Sequence, residues 1–351
     1  MSTEPVLRWA RRNRELVVAW EPINHQALAG LERAHRPLRT RSFAVHRTAS
    51  TTLVVHRLSR GAIDNDIGRL IADEIVGPEL VSGPGAFERC FAGIVESTGP
   101  SPHACWRRFY LNTLRALEGA DSGNAPGGPI STFRRIYQHA AALMRGATVL
   151  DVGSCFAFFP MLLAAYGKRR VTASDLDPAT VALGRRIADE LGLRLDFQVA
   201  DVTQPLPFGT GSFDTVCALH LLEHFPADCT GTVLASLCRA ARRRVILAVP
   251  LEAVPDPVYG HRQAFDLDRL AVVAAGAPGW RGQAHEYLGG WLVLEPDRIN
   301  GASPWLDRTV DFDDARDPNR THQQRTYRST PTSGLQGATR FYQHSNLGGS
   351  E

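Results

Sequence analysis

The most constraining feature of the chain is a segment in which two apolar runs flank an acid, a glycine and a short turn. The first run is Thr148–Val152 and the second is Phe158–Tyr166. A short continuous apolar run is typical of a parallel strand that is buried on both faces. A strand, a tight turn with small residues and a helix together open the nucleotide site of a doubly wound sheet. We therefore predict an α/β fold centred on this segment.

After residue 129 the sequence alternates regularly between apolar runs and amphipathic segments, which predicts βαβ units and a parallel sheet. The predicted strands are Val149–Val152, Arg170–Ser174, Arg194–Val199, Phe213–Ala218, Val245–Val249 and Trp291–Leu294. The predicted helices are Thr132–Met144, Phe158–Tyr166, Pro178–Leu191, Pro226–Ala241 and Asp266–Ala275.

The residues before this alternation have a mixed pattern that predicts an N-terminal α/β accessory region. It comprises a helix over Leu7–Trp20, two short strands within Thr40–His56, and helices over Asp64–Leu80, Phe87–Val95 and Ala104–Leu117. Gly119–Pro129 is rich in Gly, Ser, Asn and Pro, which is typical of a linker. We divide the chain into an accessory region (1–128), a core domain (129–296) and a polar tail (297–351), which has too few apolar residues to order itself independently.

The composition favours a cytoplasmic globular protein. No apolar run reaches the 18 residues typical of a membrane span, and the first residues lack the pattern of a secretory signal. The six cysteines stand singly, which predicts reduced and mostly buried thiols. A net charge of +3 and separated basic runs predict no nucleic-acid partner. The oligomeric state is left open.

Acids lie at or just after the carboxyl ends of three successive predicted strands. They are Asp151, Asp175 and Asp201. In a doubly wound sheet the ligand lies beyond the carboxyl ends of the strands, and an acid at the end of the second strand can accept both hydroxyls of a ribose. Three acids in register predict a nucleoside-binding edge more strongly than any single one.

These acids belong to a longer series of motifs that resembles the class I S-adenosylmethionine-dependent methyltransferases. The resemblance covers about residues 130–295, and the motifs are Leu150–Gly153, Val171–Pro178, Ala200–Phe208, Gly211–Asp214 and Leu219–His224. It implies a Rossmann-like fold with a seven-stranded, mostly parallel sheet, helices on both faces, and S-adenosyl-L-methionine as cofactor. It also suggests that the accessory region covers or recognises the methyl acceptor.

The same resemblance implies which residues bind the methyl donor. Asp151 and Gly153 would line its methionine end, Asp175 its ribose, Asp201 and Val202 its adenine, and His220 its methyl group. Ser154, Cys155 and Leu176 would be further cofactor-binding residues. Tyr137, together with Arg134 or Arg135, could reach the donor carboxylate, although a solvated helix face explains those arginines equally well.

One departure from the family pattern concerns the turn after Asp151. The family has Gly-x-Gly-x-Gly there, whereas this chain keeps only Gly153 and has Cys155 and Ala157 at the next two positions. Either the donor site is divergent but works, which we favour, or it is degenerate. A sulfonium amino acid lacks the pyrophosphate that needs a glycine-rich cradle. The turn therefore argues against a dinucleotide cofactor.

Methyl transfer to a hydroxyl requires an acceptor held close to the donor and a group that removes its proton. The candidates are Glu223, His220 and His224 after the fourth strand, and His261 after the fifth. His261 could instead cap a loop, and His224 could pack structurally under the site. Glu223 could orient a neighbouring base or take part in metal binding, but no spacing of His, Asp or Glu dictates a metal, so none is assigned. We expect an O-methyltransferase acting on a sugar hydroxyl of an oligosaccharide. The alternatives are a small phenolic or polyketide-like acceptor, or a non-catalytic scaffold.

Overall fold

The structure is a computed structural model that describes residues 16–21, 36–47, 51–83, 85–119 and 128–297. The predicted polar tail lies outside these residues except for Asp297, and most of the predicted linker and the first part of the helix expected from Leu7 also lie outside them. Among the described helices, none is long and apolar enough to cross a bilayer. The division of the chain into three regions remains a prediction.

The accessory region contains a four-stranded sheet with the order β1-β4-β3-β2. Its strands are β1 (Leu16–Trp20), β2 (Leu38–Arg39), β3 (Phe43–Arg47) and β4 (Thr52–His56). The two strands predicted within Thr40–His56 are confirmed as β3 and β4. The predicted helix through Trp20 is wrong where the structure describes it, because Leu16–Trp20 pairs in parallel with β4. The sequence LVVAW is a good strand former, and Val18 lies so close to Gly93 that a Cβ there would be 2.4 Å from Val18 Cγ2.

Three helices follow this sheet: α1 (Ile67–Ile71), α2 (Ala86–Ser97) and α3 (Pro102–Glu118). The predictions for α2 and α3 are confirmed. The single helix predicted over Asp64–Leu80 is only partly right, because α1 changes into a π-helical turn at Ala72–Val76. The amide of Gly77 donates to the carbonyl of Ala72 across five residues (2.8 Å), and a Cβ on Gly77 would lie 2.7 Å from that oxygen. The glycine therefore permits the wider turn that ends the helix.

The core domain confirms the predicted alternation of strands and helices. In chain order it comprises α4 (Pro129–Leu143), β5 (Thr148–Val152), α5 (Phe158–Tyr166), β6 (Arg170–Asp175), α6 (Pro178–Glu190), β7 (Leu195–Val199), β8 (Phe213–Leu219), α7 (Thr230–Ala240), β9 (Ala241–Val249), α8 (Leu267–Ala275), β10 (Trp280–Glu286) and β11 (Gly290–Pro296). Helix α7 begins later than predicted, because 3₁₀ turns occupy Leu222–His224 and Ala227–Cys229.

The seven strands form one sheet with the order β10-β11-β9-β8-β5-β6-β7. Strand β11 runs antiparallel to its neighbours and the central strands are parallel, so the fold class is confirmed. Sequence analysis located six of these strands and missed β10. The sequence of β10, WRGQAHE, has no apolar alternation, because it lies at the sheet edge and its residues are half-buried or exposed.

Alternate residues along the central strands enter two separate apolar cores. Leu150, Val216 and Leu247 face one core, whereas Val149, Cys217 and Ile246 face the other. This division follows from the two-residue period of a strand. The second core also contains residues of α2 and α3, so the accessory region and one face of the main sheet share buried apolar side chains. All six cysteines are free thiols, four of them buried.

An aromatic cluster forms the centre of the shared core. Its members are Phe91, Trp106, Phe109, Tyr110, Phe156 and Phe158. Phe156 belongs to the turn after β5, and its ring centroid lies 5.0 Å from Phe109 and 5.7 Å from both Phe91 and Trp106. The accessory helices α2 and α3 therefore pack directly against the turn that the sequence identifies as the donor-binding turn.

A buried histidine in β4 makes the fold sensitive to acid. The Ser97 hydroxyl donates to the carbonyl of Ile94, so Nε2 of His56 must donate to Ser97 Oγ at 2.8 Å. Nδ1 of His56 has no hydrogen-bond partner among the described residues. Burial lowers the pKa of His56 from 6.5 to about 4, because a proton on Nδ1 would place an unsolvated charge in the core.

Acidification is expected to lower the free energy of unfolding. The pKa of His56 is lower in the folded state, so unfolding takes up a proton, and the stability present above pH 6.5 is lost progressively as the pH falls towards about 4. Near pH 5 the loss from this residue amounts to about 2 kcal/mol. Urea unfolding at a series of pH values measures it. His56→Gln should flatten the dependence and the partly exposed His103→Gln should not, whereas an equal slope in wild type and His56→Gln contradicts this assignment.

Candidate active site

The turn after β5 keeps a left-handed backbone at the three positions where the family has glycines. The φ angles are +71° at Gly153, +48° at Cys155 and +55° at Ala157. A left-handed backbone costs roughly 1–2 kcal/mol at a residue that has a side chain, and this conformation persists only where surrounding contacts stabilise it. Without glycine, Cys155 and Ala157 could either adopt a different backbone conformation or tolerate the strain of a left-handed one. The structure shows the strained left-handed backbone at both residues.

Hydrogen bonds to β6 hold the strained turn in place. The amides of Gly153 and Ser154 both donate to the carbonyl of Ser174, at 2.9 and 3.0 Å. The Cys155 amide donates to Oδ2 of Asp175 at 2.8 Å. Cys155 and Phe156 are buried, which adds apolar contacts. Hydrogen bonds to β6 and burial in the core therefore offset the backbone strain, which glycine residues at these positions would not have.

Replacing Ala157 by glycine is expected to leave stability nearly unchanged. Loss of a buried methyl group and of backbone stiffness costs roughly 1–2 kcal/mol, but relief of the left-handed strain offsets a similar amount. Ala140→Gly is the matched control, because Ala140 is equally buried but lies in α4 with helical geometry, and it should lose the full amount. Thermal and urea unfolding compare the two variants. Equal destabilisation would show that Ala157 bears no strain.

Asp151 is the penultimate residue of β5, close to this turn, and presents a buried carboxylate. Its Oδ1 has no hydrogen-bond partner among the described residues. Burial, supplemented by the negative charge of Asp175, raises the pKa of Asp151 from 3.8 to about 7. A cationic group next to this carboxylate would compensate the buried charge, which suits the ammonium of an amino acid.

Asp175 ends β6 and is 3% exposed. Its Oδ2 accepts the hydrogen bond from Cys155, and its Oδ1 accepts one from the Asp177 amide at 3.1 Å. The carboxylate is thus fixed between the turn and the start of α6. Leu176, which follows it, is 41% exposed at the same edge of the sheet.

The remaining predicted donor contacts differ in their surroundings. Asp201 follows β7, and its Oδ1 accepts hydrogen bonds from the amide and hydroxyl of Thr203, while Val202 is buried. Tyr137 of α4 stacks on Phe159, with ring centroids 5.1 Å apart, and lines a cavity of about 540 Å³ together with Arg134. Arg135 instead lies over the ring of Tyr287, so of the two arginines only Arg134 accompanies Tyr137.

The four predicted catalytic residues meet in one buried cluster after β8, which we call the His–Glu cluster. It consists of His220, Glu223, His224 and His261, all less than 9% exposed. Nδ1 of His220 lies 3.3 Å from Oε1 of Glu223, and the rings of His224 and His261 are 5.2 Å apart. Backbone hydrogen bonds from Arg262 and Gln263 to the Glu223 carbonyl dock the loop after β9 onto the 3₁₀ turn. The cluster therefore unites two segments that lie far apart in sequence.

Sequence analysis missed one residue of this arrangement. Oε2 of Glu252 lies 2.7 Å from Nδ1 of His261, so the carboxylate accepts that proton and Nε2 keeps its lone pair. Nε2 of His261 is buried and has no hydrogen-bond partner among the described residues. Burial lowers the pKa of His224 from 6.5 to about 4, so its imidazole is neutral near pH 7. The feature of the sequence that could have indicated Glu252 is its position between the end of a predicted strand and the loop that contains His261.

A second cavity opens beside the cluster. It has a volume of about 360 Å³ and is lined by residues of the π-helical turn and of the loop after β9: Ala72, Asp73, Gly77, Pro78, Asp256, Val258 and Tyr259. The ring of Tyr259 lies 6.2 Å from that of His261. The accessory region and the core domain thus form this cavity together.

Comparison with known proteins agrees with this geometry. Residues 149–244 match the family described as "Methyltransferase domain". Residues 149–244 of this fold are therefore similar to a methyltransferase domain, and S-adenosylmethionine is the cofactor that this similarity indicates.

Among curated proteins, the ubiquinone biosynthesis O-methyltransferase of Xanthomonas campestris pv. campestris (strain B100) is 34% identical over 134 residues, which are 36% of this chain and 56% of the relative. The enzyme of the same name from Xanthomonas euvesicatoria pv. vesicatoria (strain 85-10) is 35% identical over 107 residues, or 30% and 44%. The chain thus spans about half the length of these relatives. Magnesium protoporphyrin IX methyltransferase from Synechocystis PCC 6803, solved with bound SAH, is 20% identical, with 53% of this chain and 92% of that chain covered and a TM-score of 0.40.

Proposed function

We propose that the protein is an O-methyltransferase that transfers the methyl group of S-adenosylmethionine to a hydroxyl of its acceptor. The acceptor oxygen forms a bond to the methyl carbon as the bond from that carbon to sulfur breaks, and the electron pair stays on sulfur. The products are the methyl ether, S-adenosylhomocysteine and a proton. Since the sulfonium already activates the methyl group, the protein has to position the oxygen and receive the proton.

The observation that carries this proposal is the position of the His–Glu cluster. It follows β8, the strand next to β5 in the sheet, and Leu221 contacts the donor turn so closely that a Cβ on Gly153 would lie 2.5 Å from Leu221 Cδ1. Glu223 stabilises a proton on Nδ1 of His220, which leaves Nε2 of that ring to accept the proton of the acceptor. His220 is therefore the residue to which we assign the proton.

We further propose a sugar hydroxyl of an oligosaccharide as the acceptor. Asp73 and Asp256 line the cavity of about 360 Å³ with the ring of Tyr259. Carboxylates that accept hydrogen bonds from hydroxyls, together with an aromatic face, suit a carbohydrate. The accessory region and the turn Asp151–Phe156 also resemble the methyltransferase associated with mycofactocin biosynthesis, which methylates the oligosaccharide of that redox cofactor. A mycofactocin-type glycan is accordingly our specific candidate.

A small phenolic acceptor is the second candidate. The observation that favours it is the identity of 34–35% with enzymes named ubiquinone biosynthesis O-methyltransferase. A phenol would need fewer polar contacts than a sugar and would occupy the cavity through its ring. The non-catalytic scaffold is the third candidate, and failure to bind S-adenosylhomocysteine would favour it.

Methyl transfer can be tested directly with labelled S-adenosylmethionine. The protein is incubated with an oligosaccharide extract, with simple glycosides and with a catechol, and mass spectrometry detects any product that gains one CH₂. We expect a methylated glycan and a much slower reaction with the catechol. Preferred methylation of the catechol would replace the sugar proposal by the phenolic one. If no acceptor gains a methyl group while S-adenosylhomocysteine binds, the proposed activity is wrong.

The assignment of His220 needs its own comparison. His220→Gln should lower kcat by at least ~10²-fold, because a side-chain amide cannot take up the proton. His139→Gln is the control, since His139 is a half-buried histidine whose ring packs on Tyr287 and Trp291, outside the cluster. A His220→Gln enzyme with the wild-type kcat would remove His220 as the base.

A further inference from the structure

Three residues of the His–Glu cluster have the chemistry and spacing of a metal-binding set. Glu223, His224 and His261 are all buried, and each offers one ligand atom within 4.8 Å of the other two. Around a shared ion, ligands at about 2.0–2.2 Å lie roughly 3–4 Å from each other. Small side-chain rotations therefore suffice to bring the three atoms onto one ion.

The outer partners of the two histidines match those of metal ligands. A metal-binding imidazole usually donates its second ring N–H to a carboxylate or a backbone carbonyl, which fixes the ring and the tautomer. His261 donates from Nδ1 to Glu252, at 2.7 Å. His224 forms a hydrogen bond with the backbone of Gly260. Each histidine is thus oriented from behind by a partner outside the three-residue set.

Glu223 adds a buried carboxylate, whose negative charge destabilises the fold unless a cation compensates it. Its side chain is fully buried, and Oε2 accepts no hydrogen bond from the described residues. Nε2 of His261 is likewise buried and without a partner there. A buried carboxylate without compensating donors costs several kcal/mol. A bound cation would satisfy both atoms at once.

We propose that Glu223, His224 and His261 bind one divalent transition-metal ion, with Zn²⁺ as the reference ion. Two imidazoles and one carboxylate suit zinc and its neighbours in the first transition series and leave coordination positions open. The catalytic role of this ion rests on the proposed function. An open coordination position would bind the acceptor hydroxyl, lower its pKa and direct its oxygen towards the methyl group. His220, which is not a ligand in this set, remains free to receive the proton.

Metal binding can be measured without any methyl transfer. Tag-free protein is stripped with a chelator, dialysed against Zn²⁺ and analysed by mass spectrometry for metal content, and Co²⁺ titration follows the visible absorption of the bound ion. We expect one equivalent per chain. Glu223→Gln and His261→Gln should weaken binding by at least ~100-fold, and Glu252→Gln by about 10–100-fold, since it only orients His261. His56→Gln is the control, a buried histidine hydrogen-bonded to Ser97 away from the cluster, and should bind normally.

The outcomes separate this site from the proposed activity. Absence of a bound ion in wild type, or unchanged binding in both Glu223→Gln and His261→Gln, overturns the metal site whatever the activity. If either variant fails to fold, as judged by circular dichroism, Glu252→Gln decides. Stripped wild type should still bind S-adenosylhomocysteine yet lose methyl transfer, and Zn²⁺ should restore it. Undiminished transfer by the stripped enzyme overturns the catalytic role of the ion. Normal Zn²⁺ binding with no methylated product leaves the site standing and refutes the proposed function alone.

Discussion

Replacing Asp175 by alanine is expected to abolish binding of S-adenosylhomocysteine at concentrations that saturate the wild type. If Asp175 binds the ribose as predicted, the substitution removes hydrogen bonds to both ribose hydroxyls, each worth about 1.5–3 kcal/mol because the acceptor is charged. It would also release the Cys155 amide, which the carboxylate holds at 2.8 Å and which keeps the donor turn in place. The combined loss corresponds to roughly 10²–10⁴-fold in affinity. Isothermal titration calorimetry measures it.

Two further variants, Asp175→Asn and Asp177→Ala, serve as comparisons for the Asp175→Ala result. Asp175→Asn keeps the size of the side chain and one acceptor, so it should bind the ligand with intermediate affinity. Asp177→Ala removes a neighbouring acid that caps α6 through the amides of Ala179 and Thr180. It should lower stability by about 1 kcal/mol without changing donor affinity. A folded Asp175→Ala protein that binds S-adenosylhomocysteine as tightly as wild type would refute the ribose assignment.

Replacing Phe156 by alanine is expected to give the largest loss of stability, about 3–5 kcal/mol. Phe156 is 2% exposed and contacts five other aromatic rings, so the substitution opens a cavity between the accessory helices and the core domain. Because the residue lies in the donor turn, affinity for S-adenosylhomocysteine should fall as well. Urea unfolding and calorimetry test the two effects.

Phe208→Ala serves as the matched control for this substitution. Phe208 is half-buried and packs against Phe213 at 5.0 Å, in the other core and away from the donor turn. It should cost less stability and leave donor affinity unchanged. An equal loss of stability in the two variants, with donor affinity retained in both, would show that the aromatic cluster does not support the turn.

The core domain could be predicted well because its central strands carry runs that are buried on both faces and are therefore apolar, as in β5 and the second half of β9. Thr148–Val152 and Phe158–Tyr166 carry this signal most clearly, and the structure has both elements with these limits. The acids after β5, β6 and β7 could be placed at one edge for the same reason, since parallel strands end on the same side. Their predicted contacts with the donor remain predictions.

The errors of sequence analysis fall where neighbours in space decide the structure. Leu16–Trp20 is a strand because β4 pairs with it, and Trp280–Glu286 is a strand because β11 does. The partner of Leu16–Trp20 lies more than 30 residues further along the chain. Strands β10 and β11 are neighbours in sequence, but β10 has no apolar alternation that would predict a strand. Neighbours in space also decide the role of Glu252, which depends on a loop that folds back to place His261 against it. The spacing of Glu223, His224 and His261 along the chain likewise does not reveal that they converge.

The aromatic cluster has a consequence for how this architecture can be altered. In a modular enzyme the domain that recognises the acceptor can be exchanged while the domain that binds the donor is left unchanged. Here Phe156 belongs to the donor turn and is also a core residue of the accessory helices, so the two tasks share one side chain. Grafting a foreign accessory region onto residues 129–296 would leave that ring exposed. If the accessory region recognises the acceptor as proposed, new acceptor specificity is better sought through changes at the cavity rim than through exchange of the whole region.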